Sequence, residues 1–160
     1  MHRVDQVRRR TLRTITFGIF AGAIWSIMPG TFSSLYWPAG QAITVVVAGV
    51  ITGILTSLVL SIPLQRAGRL RTLLLGVIAL PLGAFLFGTL VSTVQFAWQL
   101  ATGVSYRFVR RGFDPLGTGL TAAMYSSSNV LALLLIPLAI GTTFLLRFTL
   151  LSQVTRNHYH

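Results

Sequence analysis

Four long apolar stretches, separated by short polar segments, dominate the pattern of hydrophobic and polar positions in this chain. They cover residues 15–36, 43–62, 73–98 and 120–146, and none contains an ionisable residue. Each reaches the roughly 20 residues that a helix needs to cross the hydrocarbon core of a bilayer. The pattern predicts an all-α integral membrane protein, in which residues 1–160 form one domain, a bundle of four transmembrane helices with short loops.

Small residues recur at steps of four or five positions inside these stretches. This spacing lets two membrane helices bring their backbones close together. We therefore expect close helix packing, either within the chain or against another subunit, that tolerates Ala but not Leu at the glycines. The expected packing residues are Gly18, Gly22, Ser26, Gly49, Gly53, Ser57, Gly83 and Gly88.

The arginines predict the orientation of the spans. If both termini are cytoplasmic, ten of the 13 arginines lie inside and three lie outside, as the positive-inside rule favours. A rival arrangement turns the first stretch back at residues 29–30 as a re-entrant hairpin and leaves three spans. Its split of eight to five is weaker. We therefore expect four spans, in the inner membrane of a bacterium, with Pro29 kinking the first helix.

The net charge of +11 lies mostly beside the apolar stretches, which favours anionic lipids over nucleic acid as the partner. The third loop alternates aromatic residues with arginines. This pattern fits an interfacial loop or a docking surface for an acidic partner. The residues expected to contact lipid or a partner protein are Arg8, Arg9, Arg10, Arg13, Arg66, Arg69, Arg71, Arg107, Arg110 and Arg111.

Residues that could carry catalysis or bind metal are scarce. The only acidic residues, Asp5 and Asp114, fall in segments predicted on opposite sides of the membrane, so they cannot act as an acid–base pair. All three histidines lie in the terminal tails, and cysteine is absent. We therefore expect no enzyme activity, no metal site and no cofactor, although a pigment, quinone or lipid held by apolar contact stays open.

A few polar residues lie inside the apolar stretches. They are Thr52, Thr56, Gln95, Tyr125, Ser126 and Asn129. Asn129 is the only asparagine in a predicted span, and we expect it to hydrogen-bond across to Thr52, Thr56 or Gln95 on another helix. Prolines inside three of the spans are expected to kink the helices rather than to build a transport site.

These features favour a non-catalytic membrane subunit that acts by helix packing within a larger complex or a homo-oligomer. One alternative is a passive channel or carrier for an uncharged or anionic solute. A further alternative is a membrane sensor that signals to a partner through its tails. The sequence does not identify the complex, the solute or the partner.

Overall fold

Five α-helices make up the secondary structure of the residues described by the computed structural model, which are 2–33, 39–103, 113–128 and 132–156. Side chains are described for residues 7–26, 43–103, 113–127 and 134–151. The all-α prediction is confirmed over this part of the chain. The helices are α1 (His2–Ser33), α2 (Ala39–Leu64), α3 (Arg69–Thr102), α4 (Pro115–Ser128) and α5 (Ala132–Arg156).

Three segments in the described part of the chain are long and apolar enough to cross a membrane. They are Ile43–Leu64, Arg69–Thr102 and Leu134–Leu151. The described side chains of α1 end at residue 26. The predicted first span, residues 15–36, extends beyond that residue, so only part of it is described in full. The segment Leu134–Leu151 includes Arg147, one residue beyond the predicted end of the fourth apolar stretch, because α5 continues without a helix-breaking residue to Arg156.

A tight turn joins α2 to α3 and makes them antiparallel neighbours. The Arg66 N–H donates to the Pro63 carbonyl at 3.2 Å, and Gly68 is the N-cap residue of α3. At its other end α3 stops at Gly103, whose φ of 70° is the left-handed conformation that glycine adopts without a steric penalty. Between these caps α3 is the longest helix, and it contacts α2, α4 and α5.

The described residues of the predicted fourth span, residues 120–146, lie in α4 and α5, and residues 129–131 between them lie outside the described part of the chain. Helix α4 begins earlier than predicted because Asp114 caps it: the Asp114 carboxylate accepts a hydrogen bond from the Gly117 N–H at 2.8 Å, with Pro115 at the first helical position. Helix α5 begins at Ala132, and Pro137, which has no N–H to donate, weakens its first turns.

Helices α4 and α5 pack one after the other along α3. Gly88 of α3 lies against Ala122 and Gly119 of α4, and Gly76 of α3 lies against Ile140 of α5. The chain therefore runs down α3 and returns along it in two pieces. Helix α1 packs on α2, and α5 also contacts α1, α2 and α4.

Many large apolar side chains are exposed, and several small or polar side chains are buried. Ile43, Ile62 and Leu134 are exposed, whereas Thr72 and Ser26 are almost fully buried. A water-soluble domain rarely exposes so much contiguous apolar surface. In a membrane, lipid covers that surface, and small residues permit close helix packing. The fold is therefore that of a membrane-embedded helical protein.

Candidate binding cavity

The α1–α2 crossing brings two helix backbones into direct contact at the predicted small residues. A Cβ atom added to Gly22 would overlap the Gly49 carbonyl oxygen, and one added to Gly53 would overlap the Gly18 carbonyl oxygen. A Cβ atom at Gly18 would lie 2.6 Å from the Cα atom of Ile54. These small residues therefore meet within one chain. The expectation that Ala is tolerated is wrong at these glycines, because the methyl group would meet backbone atoms that cannot move aside.

Ser26 and Ser57 follow these glycines at the same four-residue spacing, and both are buried. The Ser26 Cβ atom takes up the space beside Gly49, and its hydroxyl donates a hydrogen bond to the Ala23 carbonyl at 2.7 Å. Because this bond lies within α1, Ser26 fills space in the interface without bonding across it. Both serines also line the cavity described below.

The predicted packing glycines of α3 differ from one another. A Cβ atom at Gly88 would lie 2.9 Å from the Ala122 side chain and 3.0 Å from the Thr118 carbonyl, so α4 sits directly on this glycine. At Gly83 the nearest atom is the Thr56 Oγ1, at 4.0 Å. Gly88 is therefore a packing residue, whereas Gly83 opens onto empty space.

That space is a cavity of about 710 Å³ lined by all five helices. Its walls carry aromatic and aliphatic side chains together with glycines, serines and threonines, and none of the described lining residues is charged. Phe17 and Trp25 contribute from α1, Phe87 from α3 and Leu135 from α5. The volume falls within the range of small-molecule binding sites, and the mainly apolar lining with a few polar groups is typical of them.

A leucine cluster closes one end of the cavity. Leu60, Leu64, Leu146 and Leu150 form a buried core between α2 and α5, and Phe17 packs against it. Leu60, Leu146 and Phe17 belong both to this cluster and to the cavity lining. The cavity therefore has an apolar floor at the end where α2 passes into α3.

The side of the cavity between α1 and α4 is not closed by helix packing. Both helices contribute lining residues, yet no Cα atom of α1 lies within 8 Å of a Cα atom of α4 among the described residues. Tyr125 of α4 lines the cavity while 68% of its surface is exposed, so it stands at the rim. Among the described residues, α1 and α4 are therefore not packed directly against each other at this position.

Two hydroxyl groups on the cavity wall lack hydrogen-bond partners among the described residues. Thr52 and Thr56 lie one helical turn apart on α2, and both Oγ1 atoms are buried and unpartnered. Thr142 and Thr143 line the same cavity from α5, but their hydroxyls donate to the carbonyls of Leu138 and Ala139 at 2.7 and 2.8 Å. The α2 hydroxyls are therefore free to bind another group.

The other predicted polar residues do not form one cluster. Gln95 is buried and its Oε1 atom has no partner in the described part of the chain, but it does not line the cavity. Ser126 lines the cavity and donates to the Ala123 carbonyl at 2.8 Å. Asn129 lies outside the described residues, so its bond to Thr52, Thr56 or Gln95 stays a prediction.

Most of the described arginines lie at the surface. Burial lowers the pKa of the Arg10 guanidinium, which is half-buried near the start of α1. Arg107, Arg110 and Arg111 lie outside the described residues. The exposed members of the predicted set are Arg8, Arg9, Arg13, Arg66, Arg69 and Arg71.

The aromatic lining of the cavity was not predicted from the sequence. Phe17, Trp25 and Phe87 resemble the many other aromatic and aliphatic residues of the apolar stretches. No local signal separates a side chain that faces a cavity from one that faces lipid. Thr52 and Thr56, by contrast, stood out as polar residues in an apolar stretch.

The fold and the cavity together define a helical membrane protein with an internal apolar site. Comparison of the chain with protein-family models, with curated proteins and with solved structures finds no match.

Proposed function

We propose that this chain is a four-span membrane protein whose central cavity binds an uncharged, lipophilic small molecule. In this proposal both termini face the cytoplasm and the membrane is the inner membrane of a bacterium. The arginine distribution supports the orientation. The exposed arginines of α1 and of the α2–α3 turn are then positioned to contact anionic lipid headgroups.

Four spans are proposed with α1 as the first and with α4 and α5 together as the fourth. Residues 15–36 have the length of a span. Helix α4 packs against α3 at Gly88, and α5 packs against it at Gly76. Because α3 is long enough to cross a bilayer, this packing supports a returning span made of α4 and α5.

The cavity is the observation that carries this proposal. A space of about 710 Å³ without a charged lining residue suits an uncharged ligand, because burying a charge there without a partner is unfavourable. Helices α1 and α4 both line the cavity but do not pack against each other among the described residues. In this proposal a lipophilic molecule dissolved in the bilayer enters between them.

A cavity-filling substitution tests the proposal. Gly83→Leu places a side chain in the cavity, where a Cβ atom meets nothing closer than 4.0 Å. We expect mass spectrometry of organic extracts from the purified wild-type protein to detect an uncharged lipophilic molecule in a stoichiometric amount relative to the protein. In Gly83→Leu the amount should fall at least tenfold while the thermal unfolding temperature in detergent holds or rises, since Leu favours a helix over Gly by roughly 0.5–1 kcal/mol.

The control is the same substitution on the outer face of α5. A Cβ atom at Gly141 meets nothing within 4 Å, and this residue is exposed. Gly141→Leu should retain the bound molecule. Equal amounts of lipophile in Gly83→Leu and in the wild type would contradict a binding role for the cavity.

A second candidate is the membrane subunit expected from the sequence, and an outward groove on α5 favours it. Leu134, Pro137, Leu138, Gly141 and Phe148 line this groove, where the missing side chain of Gly141 leaves room for a second helix. The Gly141→Leu control also tests this candidate. A partner chain that co-purifies with the wild type and with Gly83→Leu, but not with Gly141→Leu, would support the subunit role.

A further inference from the structure

The hydroxyls of Thr52 and Thr56 on α2 have no hydrogen-bond partner, unlike those of the other threonines that line the cavity. A threonine inside a helix usually donates its hydroxyl to the carbonyl four residues earlier, as Thr142 and Thr143 do. Thr52 and Thr56 make no such bond, although Thr52 is only 8% exposed and both line the cavity. Their hydroxyls are therefore not satisfied by their own helix, and both residues line the cavity.

A buried hydroxyl without a partner is unfavourable, because it loses its hydrogen bonds to water on burial. Nothing in the described lining provides the missing partner to either threonine. A ligand atom that accepts a hydrogen bond would satisfy them. Because the rest of the lining is largely apolar and uncharged, the ligand that fits carries this acceptor on an otherwise lipophilic body.

We propose that Thr52 and Thr56 form the polar recognition element of the cavity, and that they bind a carbonyl oxygen of an uncharged lipophilic ligand. This inference rests on the binding function proposed above and names the chemical class of its ligand. The two hydroxyls lie one turn apart on the same face of α2, so both can donate to one carbonyl group or to two neighbouring ones.

Trp25 provides a direct optical readout, because it lines the cavity. The chain has three tryptophans, so Trp37→Phe together with Trp98→Phe leaves Trp25 as the single emitter. The test ligand is methylnaphthoquinone, whose two carbonyls accept hydrogen bonds and whose ring system quenches indole fluorescence on contact. The competitor is methylnaphthalene, which has a similar shape and no carbonyl.

In this background we expect saturable quenching of Trp25 by the quinone and competition by the hydrocarbon. Thr52→Val and Thr56→Val keep the side-chain shape and remove the hydroxyl. Each substitution should weaken the affinity for the quinone about tenfold, because this factor corresponds to the loss of one hydrogen bond. The affinity for the hydrocarbon should stay unchanged. Thr52→Ser and Thr56→Ser keep a hydroxyl and should restore quinone affinity.

Thr89→Val and Thr93→Val are the matched controls. They remove hydroxyls that already donate to carbonyls of their own helix, α3, and neither residue lines the cavity. Both variants should bind the quinone as the parent protein does. Thermal unfolding of every variant in detergent checks that the cavity is intact.

The outcomes separate the two proposals. If both test molecules bind and the α2 valine variants bind the quinone unchanged, the recognition role of Thr52 and Thr56 is overturned while the cavity keeps its binding function. Gly83→Leu should abolish saturable binding of both molecules. If neither molecule binds saturably, or if binding persists in Gly83→Leu, the proposed binding function is wrong. An equal loss of both molecules in the valine variants would mean that the hydroxyls shape the cavity rather than select a carbonyl.

Discussion

At the scale of single residues, Asp114 shows how one side chain sets the start of a helix. The sequence placed this carboxylate in a loop. Its Oδ1 atom instead accepts the Gly117 N–H, and the Thr118 N–H donates to its carbonyl at 3.0 Å. The Asp114–Pro115 pair is a recognisable N-terminal signal, since Asp is a favoured cap and Pro fits the first turn.

Removing this cap should destabilise the protein. We expect Asp114→Ala to lower the free energy of unfolding by about 1 kcal/mol, because the amide of Gly117 loses its acceptor. The measurement is equilibrium unfolding in mixed detergent micelles. Asp114→Asn keeps an oxygen acceptor and should lie within a few tenths of a kcal/mol of the wild type. A comparable loss in both variants would show that the charge matters rather than the cap.

At the scale of helices, the α1–α2 pair depends on having no side chain at the crossing. The Gly22 and Gly49 backbones touch, and so do those of Gly18 and Gly53. In lipid the helices gain no hydrophobic free energy by associating, so close van der Waals contact holds them together. A Cβ atom at Gly18, Gly22 or Gly53 would overlap the backbone of the neighbouring helix and push the two helices apart.

Alanine substitutions distinguish a packed glycine from an open one. We expect Gly22→Ala to destabilise the fold by about 1–3 kcal/mol, the usual cost of overpacking. Gly141→Ala makes the same chemical change where no described atom lies within 4 Å, and it should stabilise the protein by up to about 1 kcal/mol through helix propensity. Unfolding curves measured in one detergent compare the two. If Gly22→Ala proved as stable as the wild type, the α1–α2 contact would be looser than described.

At the scale of the whole molecule, the arrangement of helices surrounds a space instead of filling it. Helices α1 and α2 form one wall, α3 and α4 form another, and α5 joins both above the leucine floor. This floor argues against an open channel through the bundle. It is consistent with the ligand-binding role that we propose for the cavity.

Cysteine labelling tests the topology of the whole molecule, and the natural absence of cysteine removes background. Gln65 in the α2–α3 turn and Ala101 at the end of α3 are both exposed. With cytoplasmic termini, a membrane-impermeant maleimide should label Ala101→Cys in intact cells and Gln65→Cys only after permeabilisation. Labelling of Gln65→Cys in intact cells would mean that the protein has the opposite orientation in the membrane.

The helical class, the membrane character and the small residues of the α1–α2 crossing were readable from the sequence. All three depend on local properties, namely the length of an apolar run, the scarcity of charge and the spacing of small residues along a helix. The two threonines of α2 were also visible as polar positions, although the partner expected for them, Asn129, lies outside the described residues.

Only the tertiary structure decided what those residues face. It paired the α1 and α2 glycines within one chain, packed both α4 and α5 against α3, and left Gly83 beside a void while covering Gly88. It also left the Thr52 and Thr56 hydroxyls unpartnered, whereas those of Thr142 and Thr143 bond within their helix. Whether a residue lies beside a void or has an unpartnered group depends on which helix faces meet across the bundle. Local sequence does not determine which faces meet.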